Sequence, residues 1–208
     1  KGGIIKFAYN AIDQNISATY GQNIVKTSYD LWGQKSEFND PSNGLYKYEY
    51  DGLGKLTKES SPKGKKEYIF NTLGQLVSQT EISTDDNAKA TSKNISFFYD
   101  NKGRIIDKSG TANGKTYSSS ITYDPNGRVI ASAENSNGKF YYQKNISYDN
   151  TGRVISYEKG LLSSSIVTQT SIQNVYESWG GSLSQLLDKN TGNVLWELQK
   201  TKANGQVL

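Results

Sequence analysis

The sequence predicts an all-β fold, an array of antiparallel β-hairpin repeats forming one continuous twisted, curling sheet. Three observations carry that expectation. A phrase of Tyr-Asp-x-x-Gly, then a polar or basic residue and an aliphatic one, recurs along the chain. Residues ahead of each copy alternate apolar and polar with the two-residue period of a strand that has one buried face. A second set of turn residues falls between successive copies, so each unit has two strands and two reversals.

The clearest copies are Tyr50-Asp51-Gly52-Leu53-Gly54, Tyr99-Asp100-Asn101-Lys102-Gly103, Tyr123-Asp124-Pro125-Asn126-Gly127 and Tyr148-Asp149-Asn150-Thr151-Gly152. Looser ones are Tyr29-Asp30-Leu31-Trp32-Gly33, Phe70-Asn71-Thr72-Leu73-Gly74 and Tyr176-Glu177-Ser178-Trp179-Gly180, and Tyr9-Asn10-Ala11-Ile12-Asp13 lacks the glycine. Repetition at about 20 to 30 residues marks an architecture in which each unit buries its apolar face only against its neighbours.

Strands come first in each unit. Tyr46, Tyr48 and Tyr50 fall on one side and Lys47 and Glu49 on the other; Ile95, Phe97 and Tyr99 repeat the pattern, as do Ile121 with Tyr123 and Ile146 with Tyr148. The strand ladder is therefore expected at Tyr9, Tyr29, Tyr50, Phe70, Tyr99, Tyr123, Tyr148 and Tyr176. The turn follows. Its aspartate or asparagine accepts backbone N–H groups and its glycine supplies a positive φ. That assigns turn roles to Asp30, Gly33, Asp51, Gly54, Asn71, Gly74, Asp100, Gly103, Asp124, Gly127, Asp149, Gly152 and Gly180. Return strands then start at Leu56, Leu76, Ile105, Val129 and Val154. They run to second turns at Asp40-Pro41-Ser42-Asn43-Gly44, Ser61-Pro62-Lys63-Gly64, Asn113-Gly114, Asn137-Gly138 and Lys159-Gly160, the Asn-Gly pairs being strong hairpin formers.

The third turn position is apolar in Ile12, Trp32, Leu53, Leu73 and Trp179 but polar in Lys102, Asn126 and Thr151. The expectation is that the early tips pack on their neighbours; the sharper reading is an edge that docks onto other parts of the parent protein. Two stretches do not fit the scheme: 79–93, whose loop looks overlong, and 161–175, whose second turn has no evident place.

At 208 residues the repeats leave no room for a separate domain. Residues 1–208 read as a single array of about eight units from Tyr9 to Trp179 plus a terminal hairpin region at 183–208. The chain opens at Lys1 and stops just past Asn204-Gly205, in what looks like another turn, which reads as a fragment of something longer. Apolar residues make up 34% of the chain, which suits thin sheets with one wet face. No apolar run approaches the roughly 20 residues of a membrane helix, so no membrane insertion is expected. The net charge of +4 is scattered, with Lys63-Gly64-Lys65-Lys66 the one local run, and no nucleic-acid partner is expected.

The phrase in Tyr50 to Leu56 and Phe70 to Leu76 resembles the YD repeat of the Rhs family, which includes bacterial polymorphic toxins, wall-associated proteins, insecticidal toxin-complex C components and teneurins. The resemblance extends from Tyr9 to Trp179. It implies a spiralling β-sheet that in complete members wraps into a hollow shell around a toxic or signalling segment. This chain has neither the Arg- and Asp-Pro-rich motif that closes such a shell nor a segment beyond the repeats, so no catalytic residue is carried over.

The sequence offers little chemistry. Histidine and cysteine are absent, which removes imidazole bases, Ser-His triads, disulfides and thiolate metal sites. The aspartates recur at one position of successive units, and a repeated backbone duty explains that better than catalysis, which needs carboxylates in unlike environments. Asp85-Asp86-Asn87 is the one dense acidic patch; it has no calcium-loop spacing and reads as a solvated loop. The tyrosines read as packing, and Trp32 and Trp179 as the residues best placed to meet a ligand. Asn-x-Ser sequons at Asn15, Asn94 and Asn145 read as a by-product of repetition. No cofactor and no metal are expected. The leading expectation is a non-enzymatic structural module of a bacterial Rhs-like protein, secreted or on the cell surface, forming part of a shell or stalk. Its partners would be the remainder of its parent chain, an enclosed toxin segment or surface glycans. The alternative is a surface adhesion or carbohydrate-binding module, and third comes a glycosidase-like enzyme.

Overall fold

A computed structural model describes residues 3–84, 90–163, 166–178 and 181–198. They form a seventeen-stranded antiparallel sheet and no helix. In chain order the strands are β1 (Ile5–Tyr9), β2 (Asn15–Tyr20), β3 (Asn23–Tyr29), β4 (Lys35–Asp40), β5 (Gly44–Tyr50), β6 (Leu56–Ser61), β7 (Gly64–Phe70), β8 (Leu76–Thr84), β9 (Ala90–Tyr99), β10 (Ile105–Ala112), β11 (Lys115–Tyr123), β12 (Val129–Ser136), β13 (Lys139–Tyr148), β14 (Val154–Ser163), β15 (Ile166–Tyr176), β16 (Leu183–Asp188) and β17 (Val194–Glu197).

Two compact units make up the chain. The first comprises Lys1–Phe97 with Gly110–Gly114 and holds β1 to β8 and most of β9; the second comprises Phe98–Ser109 with Lys115–Leu208 and holds β11 to β17 and the start of β10. Within the first, β1 pairs with β2 and so on in sequence to β9; within the second, β11 to β17 pair in the same way.

The alternation read from the sequence is the alternation of burial. In β5 every second residue from Tyr46 to Tyr50 is half-buried while Leu45, Lys47 and Glu49 are exposed. Neither unit has a thick core: among the described residues Ile172 at 2% and Ser171 at 8% exposure are the most enclosed side chains. Stability therefore comes from ladder hydrogen bonds and cross-strand packing, such as the edge-to-face pair of Phe38 and Tyr46.

After the repeat turns of β1–β2, β3–β4, β5–β6, β7–β8, β11–β12, β13–β14 and β15–β16 the return strand bulges at its second residue. Tyr50 faces Leu56 but Glu49 faces Lys58, leaving Thr57 unpaired, and Tyr123, Val129, Thr122 and Ala131 repeat this at Ile130. Such bulges raise the local right-handed twist.

Three sequence expectations need correction. Lys159-Gly160 is not a turn: β14 runs through it to Ser163, which pairs with Ile166. Glycine is there because the Tyr142 ring lies over it, so that a Cβ would sit about 2.4 Å from the ring. The overlong loop is mostly strand, since β8 and β9 pair from Ser78 with Ser96 to Thr84 with Ala90; Asp85-Asp86-Asn87 lies outside the described residues. The apolar tips do not pack on their neighbours, because Ile12, Trp32, Leu53 and Leu73 are 71 to 89% exposed. Adjacent repeat turns are two strand spacings apart, roughly 9.6 Å, and these side chains project outward into solvent instead of across that gap.

Candidate functional site

Within each unit the repeat turns lie at one end of the strands, and their side chains form an organised polar array. Each turn closes in the same way. Asp30 N–H donates to Gln34 O at 2.8 Å and Gly33 N–H to Asp30 O at 3.1 Å; Asp51, Asn71, Asp100, Asp124 and Asp149 repeat both bonds with the residues three and four further on. This is a type I turn ending in a left-handed residue, with φ between 77° and 86° at Gly33, Gly54, Gly74, Gly103, Gly127 and Gly152. Asp13, at φ 65°, fills the glycine place in the first turn.

The side chain of the first turn residue caps the turn. Asp51 Oδ1 accepts the N–H groups of Leu53 and Lys55, both at 2.9 Å, and Asp30, Asn71, Asp100 and Asp149 do the same. The other side-chain atom selects a partner four residues on. Asn10 and Asn71 donate Nδ2–H to the carboxamide oxygens of Gln14 and Gln75, whereas Asp100, Asp124 and Asp149 accept Nε–H from Arg104, Arg128 and Arg153 at 2.7 Å. These bonds govern the carboxyl groups. The Arg104 and Arg153 backbone N–H groups are the main cause holding Asp100 and Asp149 below the usual carboxylate range; at Asp124 desolvation opposes, and the Arg128 bonds outweigh it.

Turns are joined to one another through the sixth residue of the phrase. Gln14, Gln34 and Lys55 reach forward to donate to the carbonyl oxygens of Gly33, Gly54 and Gly74 at 3.0, 3.1 and 2.8 Å. Arg104, Arg128 and Arg153 instead lie over the next ladder rings, Tyr123, Tyr148 and Tyr176, at 4.2, 4.7 and 4.7 Å. The tyrosines answer in the opposite direction. Tyr29, Tyr50, Tyr123, Tyr148 and Tyr176 donate their hydroxyls to the carbonyls of Asn15, Lys35, Ile105, Val129 and Val154, at 2.6 to 3.0 Å. Every one of those acceptors is the residue just after a forward-reaching arm. Phe70 has no hydroxyl, and Lys55 Nζ sits 5.1 Å over its ring.

Tyr9 differs from the later rungs: in β1, with no described turn before it, it is 54% exposed. Trp179 and Gly180 lie outside the described residues. In their turn Glu177 N–H reaches Ser182 O, one residue further than elsewhere, and Gly181 takes the positive φ of 70° beneath Arg153. The arms themselves were not singled out in the sequence, although the phrase shows a long donor side chain after each turn glycine from Gly33 to Gly152. A further capped turn at Asp188 to Gly192 was also missed; its extra residue breaks the phrase.

The arrangement is poorly suited to catalysis. The aspartates are strung along an edge, one per turn, and Asp100, Asp124 and Asp149 are each engaged by their own arginine. Among the described residues no three acidic side chains gather as a metal site would require.

No family model matches the chain, and no curated protein matches it. Among solved structures it is similar to the crystal structure of TcdB2-TccC3-TEV, at 12% identity over 89% of this chain and 11% of that one, with a TM-score of 0.49. It is also similar to the Photorhabdus luminescens Tc holotoxin pore carrying the TccC3 D651A mutation, at 13% identity over 98% of this chain and 16% of that one, with a TM-score of 0.46. A porin-like protein from Bacteroides uniformis matches at 14% identity over 81% of this chain and 88% of that one, with a TM-score of 0.36. The chain thus spans 11 to 16% of the length of the toxin-complex chains it matches.

Proposed function

We propose that this chain is a non-enzymatic structural repeat module, a length of β-sheet wall in the shell or stalk of an Rhs-like secreted or surface protein, beside a toxin or other effector. The observation that carries this reading is the two-way staple between turns. Gln14, Gln34 and Lys55 by hydrogen bond, Arg104, Arg128 and Arg153 by lying over a ring, and five tyrosine hydroxyls in return tie a repeat to its neighbour, so these polar groups are spent on holding hairpin to hairpin. Their donors and acceptors are therefore taken up within the sheet. The resemblance of the repeated phrase to the YD repeat supports the same role, and under it the partners are the rest of the parent chain and whatever that chain encloses.

Thermal melting tests the proposal. Asp149→Ala should lower the melting temperature, and a panel of glycans should leave both proteins unchanged. A ligand that raises the melting temperature of the wild type, and loses that effect on Asp149→Ala while the ligand-free melting temperature stays put, would assign the ladder to binding instead.

A further inference from the structure

In the first unit the third turn positions make an apolar comb. Ile12, Trp32, Leu53 and Leu73 project from successive turns, 71 to 89% exposed, and Leu31 beside them is fully exposed. The fold does not require apolar groups at this position, because the same place holds Lys102, Asn126 and Thr151 in the later turns with identical turn hydrogen bonds. Single exposed apolar residues are ordinary, but a row of five along one edge is a patch of the kind that marks an interface.

We infer that this edge is a self-association surface on which a second copy of the chain seats its own tips between these, with Trp32 and Leu53 at the centre. The argument rests on pitch, area and charge. Tips recur about every 9.6 Å, and a groove of about 320 Å³ lies between the Trp32 and Leu53 tips, lined also by Gln34, Asp51, Gly52 and Gly54. A second copy has the same pitch by identity, so two combs related by a two-fold axis interdigitate in an isologous contact. Five side chains this exposed offer on the order of 800 Å² per partner when almost wholly covered, about the amount a standard interface buries.

The polar groups of the groove are partly engaged, and the ionised Asp51 carboxylate would stay at the solvated rim of such a contact. Gln34 Nε2–H is already bonded to Gly54 O, and the Asp51 carboxylate already accepts the Leu53 and Lys55 N–H groups. An anionic lipid surface is the poorer occupant, since it wants free basic groups beside the tips. Here the Lys35 amine is turned over the Phe38 ring at 5.3 Å and the Lys55 amine onto Gly74 O.

Sedimentation equilibrium on the full chain decides the matter. The wild type should form a dimer, and Trp32→Ser or Leu53→Ser should weaken it by about tenfold or more with an unchanged circular dichroism spectrum. The chain has no cysteine, so Leu53→Cys gives one reactive site per copy; a short bis-maleimide should join two copies there and fail to do so at Asn126→Cys. A chain monomeric throughout, or a dimer untouched by both serine variants, overturns the inference while leaving the wall reading intact. Flotation of a monomeric wild type with lipid vesicles, lost on Trp32→Ser, overturns it in favour of a membrane contact.

Discussion

The Tyr148 hydroxyl donates to Val129 O at 2.6 Å, and its ring carries Arg128 at 4.7 Å, so one residue makes two separable contacts with the turn before it. Tyr148→Phe removes only the first. In urea titrations it should lose about 1 kcal/mol, the usual net worth of a hydrogen bond whose acceptor is half-buried. Gly127 tests the backbone. At φ 86° an alanine is strained by about 1–2 kcal/mol, and its Cβ would lie 3.2 Å from Arg104 Nη1. Asparagine tolerates that region better, and Asp13 already occupies it at φ 65°; Gly127→Asn should therefore cost less than Gly127→Ala. Turn duties of this kind were legible residue by residue, because aspartate and glycine at fixed offsets have a local mechanism. The forward arms were harder to see, since their partners lie a whole repeat away and only the stacking of turns brings them together.

At the scale of the hairpin, the capped aspartates make stability depend on acid. Asp100, Asp124 and Asp149 have folded pKa values lowered by the N–H bonds they accept, with Asp124 lowered despite desolvation. Their contribution is fully present above the unfolded value near 3.9 and is lost as pH falls through the lower folded values. The denaturant midpoint should accordingly fall between about pH 4 and pH 2, and it should fall less when these three residues are replaced by asparagine. Element boundaries were readable where alternation was clean, as in β5. They were not readable at the far end of β8 and the start of β9, where Ser, Thr, Glu and Lys occupy both faces and leave no period to detect. Pairs such as Ser83 and Thr91, hydroxyl to hydroxyl at 2.6 Å, hold those strands without an apolar stripe. Gly160 misled for a related reason: a glycine that admits a ring from the preceding strand looks in sequence like one that makes a turn.

At the scale of the whole chain, the all-β antiparallel architecture was evident from repetition alone, while the division into two compact units was not. Its boundaries fall at Phe97/Phe98, Ser109/Gly110 and Gly114/Lys115, and no break in the phrase marks them. Stacked repeats interact with nearest neighbours, so damage should spread locally. Hydrogen exchange on Gly127→Ala should rise in β11, β12 and β13 and stay unchanged in β2 to β5. The central claim, that the repeated residues exist to bind turn to turn, is tested most directly by double-mutant cycles between Arg104→Met and ladder tyrosines changed to leucine. Tyr123, 4.2 Å from the Arg104 guanidinium, should couple by about 0.5–1 kcal/mol, and Tyr176, two turns further on, should not couple measurably. Equal coupling at the two positions, or none at Tyr123, would contradict it.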